Sequence, residues 1–195
     1  MAKIILFDGT NLDMWRKTDG SPAEWELNGD GTMTVVARKG DIMSTVKFKD
    51  AHIHVEWMAP DMPDVEHDWK GNSGVYIHGC YEIQILDSYG IEDPTCWDCG
   101  GIYEFNAPIK NACRPALEWQ TFDIYFRAPR YNEKGERTEC ARVTIIQNGE
   151  CIQNNILLHQ HTPGGVTEYA VEEGPLMLQD HKTPVRFRNI WIETL

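Results

Sequence analysis

The stretch Gly71-Asn72-Ser73-Gly74-Val75-Tyr76-Ile77-His78-Gly79-Cys80-Tyr81-Glu82-Ile83-Gln84-Ile85-Leu86-Asp87 decides how the rest of the chain is read. Apolar side chains alternate with polar or small ones on both sides of His78-Gly79, the period of a β-hairpin. A two-residue turn at His78-Gly79 would set Glu82 opposite Val75 and Gln84 opposite Ser73, mixing polar and apolar groups on both faces. An odd-length loop over His78-Gly79-Cys80 instead pairs Tyr76 with Glu82, Gly74 with Gln84 and Asn72 with Leu86. Val75, Ile77, Tyr81, Ile83 and Ile85 then share the other side. This register predicts an aliphatic core face backed by a hydrogen-bonding face that carries Asn72, Tyr76, Glu82 and Gln84.

The surrounding chain limits what such a hairpin belongs to. Its 195 residues, 42% hydrophobic, suit one domain over 1–195 with a sizeable core. Gly and Pro recur throughout, and no stretch keeps a 3.6-residue apolar period over helical length, so the expected fold is all-β. A formal charge of −12 argues against nucleic acid or an anionic membrane surface as partner and for a neutral small molecule. The apolar run at Lys3–Phe7 is too short for a signal peptide and nothing later is long enough to span a bilayer, which predicts a soluble, cytoplasmic protein.

Strands are expected at 25–27, 32–37, 41–48, 52–58, 101–105, 119–127, 141–157 as a hairpin, 176–181 and 185–192. In His52-Ile53-His54-Val55-Glu56-Trp57 the polar residues share one face, read either as a solvated surface or as placing Glu56 in a cleft. The acidic segment 59–70 lacks the ligand alternation of a calcium loop and reads as solvated. Cys96-Trp97-Asp98-Cys99 has zinc-knuckle spacing without a second matching pair, leaving Cys99 and Cys113 open to a bridge, a metal or free thiols. A turn at Asn148-Gly149 would face Cys140 with Leu157, so Cys140 and Cys151 stay unbridged. About a dozen short strands point to two packed antiparallel sheets, with Trp25, Val55, Trp57, Val75, Ile77, Ile83, Ile85, Ile124, Val143, Ile145 and Phe187 between them.

Several separated motifs occur together. They are Leu6-Phe7-Asp8-Gly9-Thr10-Asn11-Leu12, Asn72-Ser73-Gly74, Glu82-x-Gln84-x-x-Asp87, Gly101-Ile102-Tyr103, Trp119-Gln120, Asn148-Gly149, Leu178-Gln179-x-His181 and Phe187-Arg188-Asn189-Ile190. In this order they resemble the 3-keto-disaccharide hydrolase domains across nearly the whole chain. The resemblance implies a concanavalin A-like jelly roll with a carbohydrate cleft on its concave sheet, and action on 3-keto-glycosides or 3-keto-disaccharides. His78 stands where many relatives carry Arg.

A 3-keto sugar has an acidified C2 hydrogen, so a base can remove it, the C1 substituent can leave, and water addition completes a net hydrolysis. Glu82 or His181 is the expected base. Arg188, Gln84 or one divalent metal ion would stabilise the oxyanion. Asn72, Tyr76, His78, Tyr103, Gln179 and Glu56 complete the expected substrate-binding set. A second enzyme reading pairs Glu82 with Asp87, brought to the same face by a bulge, as in retaining jelly-roll glycosidases, with Gln84 in place of their middle Asp. A third is a non-catalytic carbohydrate-binding module using Trp15, Trp57, Trp69 and Trp97.

Overall fold

The computed structural model describes residues 2–195. Fifteen strands follow one another, beginning with β1 (Lys3–Phe7), β2 (Trp15–Lys17), β3 (Glu26–Leu27), β4 (Met33–Thr34), β5 (Ile42–Phe48) and β6 (Ala51–Met58). The central hairpin is β7 (Ser73–Ile77) and β8 (Tyr81–Ile85). Then come β9 (Gln120–Arg127), β10 (Arg130–Tyr131), β11 (Arg137–Glu139), β12 (Ala141–Gln147), β13 (Glu150–Leu158), β14 (Gly174–Leu178) and β15 (Arg186–Thr194). A single turn of 3-10 helix at His67–Trp69 is the only helical element among the described residues.

Two antiparallel sheets form a jelly-roll sandwich. One runs β13-β12-β9-β6-β15-β4-β3, with β1 also on β15, and the other runs β2-β5-β14-β7-β8. Period-2 alternation explains why they pack. Ile53, Val55 and Trp57 of the first sheet and Val75, Ile77, Ile83 and Ile85 of the second all point into one apolar cluster, so each sheet buries one face against the other. The eleven core residues expected from the sequence are all buried. Phe126 of β9 closes one end of the sandwich, 6.1 Å from Tyr81 and 4.7 Å from the His78 ring.

The β7–β8 hairpin adopts the odd-loop register, with Gly74 opposite Gln84, Tyr76 opposite Glu82 and Ile77 opposite Tyr81. His78 and Gly79 both take left-handed φ angles, 56° and 60°, which turn the chain tightly enough for Cys80 N–H to reach Ile77 C=O at 3.0 Å.

Three expectations need correction. Gly101–Phe105 forms no strand. It is a turn whose only sheet-like contacts are isolated bridges at Ile102. Cys140 does not face Leu157, because two one-residue shifts in the β12–β13 ladder bring Arg142 opposite Leu157 instead. The expected strand at 32–37 shrinks to Met33–Thr34 as the chain turns into Arg38, whose φ is positive. The cysteines are all free thiols. Cys99 and Cys113 lie together beside the Gln147 amide, which donates to their sulfurs at 3.5 and 3.3 Å. Burial raises the Cys99 thiol, while its hydrogen bond to Cys113 lowers the latter.

Candidate active site

Because Val75, Ile77, Ile83 and Ile85 are turned inward, the same alternation turns Gly74, Tyr76, Glu82 and Gln84 to the outer face of the five-stranded sheet. Loops cover that face. Glu82 is 3% exposed and sits in a small cavity of about 120 Å³ together with Asn72, Tyr76, Gln84, Tyr103, Gln179 and His181. Gly74 makes room for it: a Cβ there would lie 2.3 Å from Glu82 Oε1.

The loop from Thr162 to Gly165 forms the other wall. Thr162 N–H bonds Cys80 C=O at 3.0 Å and Thr162 Oγ1 accepts from Glu82 N–H at 2.8 Å, so the loop is pinned to the hairpin. Gly164, at φ 81°, runs so close that a Cβ would fall 2.7 Å from the Tyr76 hydroxyl. Gln179 enters from the end of β14, held by Ser73 Oγ on its carbonyl and by its own N–H on Gly74 C=O.

Burial dominates the electrostatics. It pushes the Glu82 carboxyl up to about 8, against the lowering effect of the Tyr76 hydrogen bond, and the charges of Asp41 and Glu104 add to the rise. Tyr76 is raised by burial and by Glu82, so its phenol stays protonated. Its oxygen lies 2.8 Å from Glu82 Oε2 and 3.0 Å from Pro163 C=O, and it accepts from Gln179 Nε2 at 3.2 Å. One hydroxyl proton cannot serve both acceptors. With Glu82 neutral, the carboxyl donates to Tyr76 and Tyr76 donates to Pro163. When Glu82 ionises, the phenol proton turns to the carboxylate. The cavity is therefore built to hold a carboxyl of either charge without moving heavy atoms.

The His181 ring packs against Trp69 at a tilt of 33°, with centroids 5.1 Å apart. Burial and the neighbouring Lys182 lower its pKa, which keeps the imidazole neutral, and its Nδ1 is buried without a hydrogen-bond partner. The Oε1 atoms of Gln84 and Gln179 are likewise buried and unpartnered. These orphaned groups mark where a polar ligand would be recognised.

The structure brings Glu82, His181, Asn72, Tyr76, Gln84, Tyr103 and Gln179 together and leaves four other expected residues out. His78 is fully buried at the hairpin tip, its ring nitrogens on Val171 and Lys49 carbonyls and its face against Phe48 and Phe126. It is a core histidine, with a pKa lowered by burial. Glu56 and Arg188 pair with each other on the outer face of the other sheet, Arg188 Nε to Glu56 Oε2 at 2.6 Å, with His52, His54 and Asp123 beside them. Alternation along β6 makes this unavoidable, since Val55 and Trp57 take the inward positions. Asp87 does not line the cavity. It lies beyond the end of β8, where its N–H bonds Lys70 C=O, and no bulge returns it to the Glu82 face. Trp15 and Trp57 are core, whereas Trp69 and Trp97 are about half exposed.

Sequence reasoning missed Thr162, Pro163 and Gly164, whose loop carries only a Pro-Gly-Gly turn signal. It also missed the role of the acidic segment 59–70. There His67 reaches Asp98 at 2.7 Å and Asp68 lines a second cavity of about 550 Å³ that shares Asn72, Gln84 and Tyr103 with the first. Among the described residues, no three His, Cys, Asp or Glu side chains converge as ligands for a metal ion.

Residues 3–193 match the model of the 3-keto-alpha-glucoside-1,2-lyase-like domain. The chain belongs to that family. A Parabacteroides distasonis ATCC 8503 protein assigned as a glycosyl hydrolase is 38% identical, with a TM-score of 0.90 over 99% of this chain and 84% of its own. A second assigned glycosyl hydrolase of that organism, 19% identical, has a TM-score of 0.72 over 99% of this chain and 94% of its own. Alginate lyase Aly36B, 8% identical, covers 99% of this chain and 97% of its own at a TM-score of 0.50, a likeness of fold alone. No protein with a curated description matches the sequence. The lyase-like domain is thus a carbohydrate-active, glycosyl-hydrolase-like one, and the unpartnered atoms of Gln84, Gln179 and His181 belong to residues that line its Glu82 cavity.

Proposed function

We propose that this lyase-like domain cleaves 3-keto-glycosides by removing the C2 proton with Glu82 and expelling the C1 substituent. The observation that carries the reading is one buried carboxyl with its pKa raised to about 8, alone among amides, two phenols and a neutral imidazole. A carboxylate in that setting is a stronger base than an exposed one, and about a tenth of it is ionised at pH 7. The ionised form takes the proton from C2. The C2–H electrons become the C1=C2 double bond, the C1–O bond breaks, and its electron pair leaves on the departing oxygen, which takes up a proton.

The C3 oxygen carries the developing negative charge. The neutral His181 ring, held against Trp69, and the Gln179 amide are the donors available to it, and a neutral imidazole suits this role because it donates without delivering its proton. Water then adds at C1 of the enone and a proton returns to C2, giving the 3-keto sugar and completing a hydrolysis.

Double displacement needs a second carboxyl about 5 to 5.5 Å from the first. Gln84 stands at the middle position of the strand motif and Asp87 does not line the cavity, which favours a base's task for Glu82 over a nucleophile's. The test is turnover of a 3-keto-glycoside in heavy water. Deuterium at C2 of the 3-keto product and inertness of the unoxidised glycoside are expected. Full retention of C2 protium, or cleavage of the unoxidised glycoside, would reject elimination.

A further inference from the structure

We propose that Cys99 and Cys113 form a modification site for peroxide, in which Cys113 is the nucleophile, Cys99 resolves the oxidised sulfur, and the product is a disulfide between them. All six cysteines are free thiols, and this pair is singled out by its surroundings. The Gln147 amide, on β12 and 0% exposed, donates through Nε2 to both sulfurs, at 3.5 Å to Cys99 and 3.3 Å to Cys113. One amide nitrogen within bonding distance of two sulfurs holds the thiols side by side. It is Cys113, rather than Cys96 of the Cys-x-x-Cys spacing, that shares this amide with Cys99.

The pair is asymmetric, which assigns the roles. Cys99 is 1% exposed, and burial raises its thiol. Cys113 is only partly buried, and the hydrogen bond from Cys99, helped by Gln147, lowers its thiol against the raising effect of burial. The thiolate is the reactive form, so Cys113 reacts first. The other end of the same amide supplies a second, independent observation. Gln147 Oε1 is buried with no hydrogen-bond partner, and a sulfenic hydroxyl on the neighbouring sulfur would donate to it. The amide thus offers a donor to the thiolate and an acceptor to its first oxidation product.

The chemistry balances with peroxide as the oxidant. The Cys113 thiolate attacks one peroxide oxygen, the O–O bond breaks, and the departing hydroxide takes up the proton that the thiol released and leaves as water. Cys113 is then a sulfenic acid. Cys99 attacks its sulfur, the S–O bond breaks, and the oxygen leaves as a second water with the Cys99 proton. Two thiols are oxidised to one disulfide and one peroxide is reduced to two waters. The new bond closes the loop from Cys99 to Cys113, the stretch that brings Tyr103 to the Glu82 cavity.

Fully reduced wild-type protein treated with hydrogen peroxide, quenched with an alkylating agent and mapped by peptide mass spectrometry, tests this. Exposed Cys151 is the internal control. The Cys99–Cys113 bridge should form at least about tenfold faster than Cys151 is oxidised. The bridged protein should melt roughly 5 to 10 °C higher than the reduced one, because the bridge restricts the unfolded chain. In Cys99→Ser, dimedone should trap a sulfenic acid at Cys113, and in Cys113→Ser, Cys99 should stay a thiol under the same exposure. A bridge from Cys99 to Cys96, oxidation of Cys151 ahead of Cys113, a bridged protein that melts no higher than the reduced one, or a dimedone adduct at Cys99 would overturn the proposal. The first three are read on wild-type protein, so a variant that fails to fold leaves the test intact.

Discussion

As the proposed base, Glu82 sets two opposite pH dependences. A base with a pKa of about 8 loses activity below it, so kcat/KM should climb about tenfold per pH unit up to that value and level off above it. Stability runs the other way. The folded carboxyl binds its proton more tightly than the unfolded one, whose pKa is near 4.5, so this contribution is fully present below pH 4.5 and is lost as pH rises to about 8. Denaturant unfolding should therefore show stability declining across that window by an amount on the order of a few kcal/mol, and Glu82→Gln should flatten the decline while abolishing turnover. Gly74→Ala tests the geometry without touching the carboxyl. The added methyl would displace Glu82 Oε1, and a shift of that size should lower kcat about a hundredfold. An unchanged kcat would show that the carboxyl's position does not matter.

Among the elements, the β7–β8 hairpin supports both sides of the molecule. Ile83 is 1% exposed on its inner face, between Glu82 and Gln84 on the outer, so Ile83→Ala should cost about 2 to 5 kcal/mol by chemical denaturation. A near-zero loss would contradict the inward assignment. This hairpin was legible in the sequence because only one register separates its polar and apolar faces. The β12–β13 pairing was not: two bulges shift the ladder, and no residue type signals them as Gly signals a turn. Gly101–Phe105 misled for a related reason, since an apolar-polar alternation of five residues is also compatible with a turn that only brushes a strand.

At the scale of the molecule, the two sheets divide the polar residues between two outer faces 180° apart in alternation, and the sequence could not say which face each strand's polar residues join. That is why Glu82, Gln84, Gln179 and His181 were placed together from local motifs, whereas Glu56 and Arg188 were assigned to the wrong side. Their ion pair is partly exposed, with Arg188 also lying over the Trp119 ring at 4.0 Å. Arg188→Ala should leave kcat/KM within about twofold of wild type and cost about 1 kcal/mol or less of stability, since exposed pairs contribute little. A large fall in kcat with stability unchanged would return Arg188 to the site. The loop walls were the least legible part, because Thr162, Pro163, Gly164, His67 and Asp98 are assembled from segments far apart in the chain.

The five-stranded sheet ends at β8, and the turn after Cys99 lies along that end. Gln84 N–H bonds Gly101 C=O and Gly100 N–H bonds Gln84 C=O, both at 2.9 Å, while Tyr103 N–H reaches Glu82 C=O at 3.2 Å. The segment that brings Tyr103 over the cavity thus also occupies the strand's free backbone groups, which would otherwise be a template for another chain. Gly101 has no space for a side chain, since a Cβ would sit 2.6 Å from Cys96 C=O. A bulky residue at 101 should lift the segment away, and the protein should then associate edge to edge, visible as concentration-dependent light scattering. Sequence change in this turn is constrained by solubility as well as by chemistry, and variants that lose activity here should be found in the aggregated fraction rather than as inactive soluble protein.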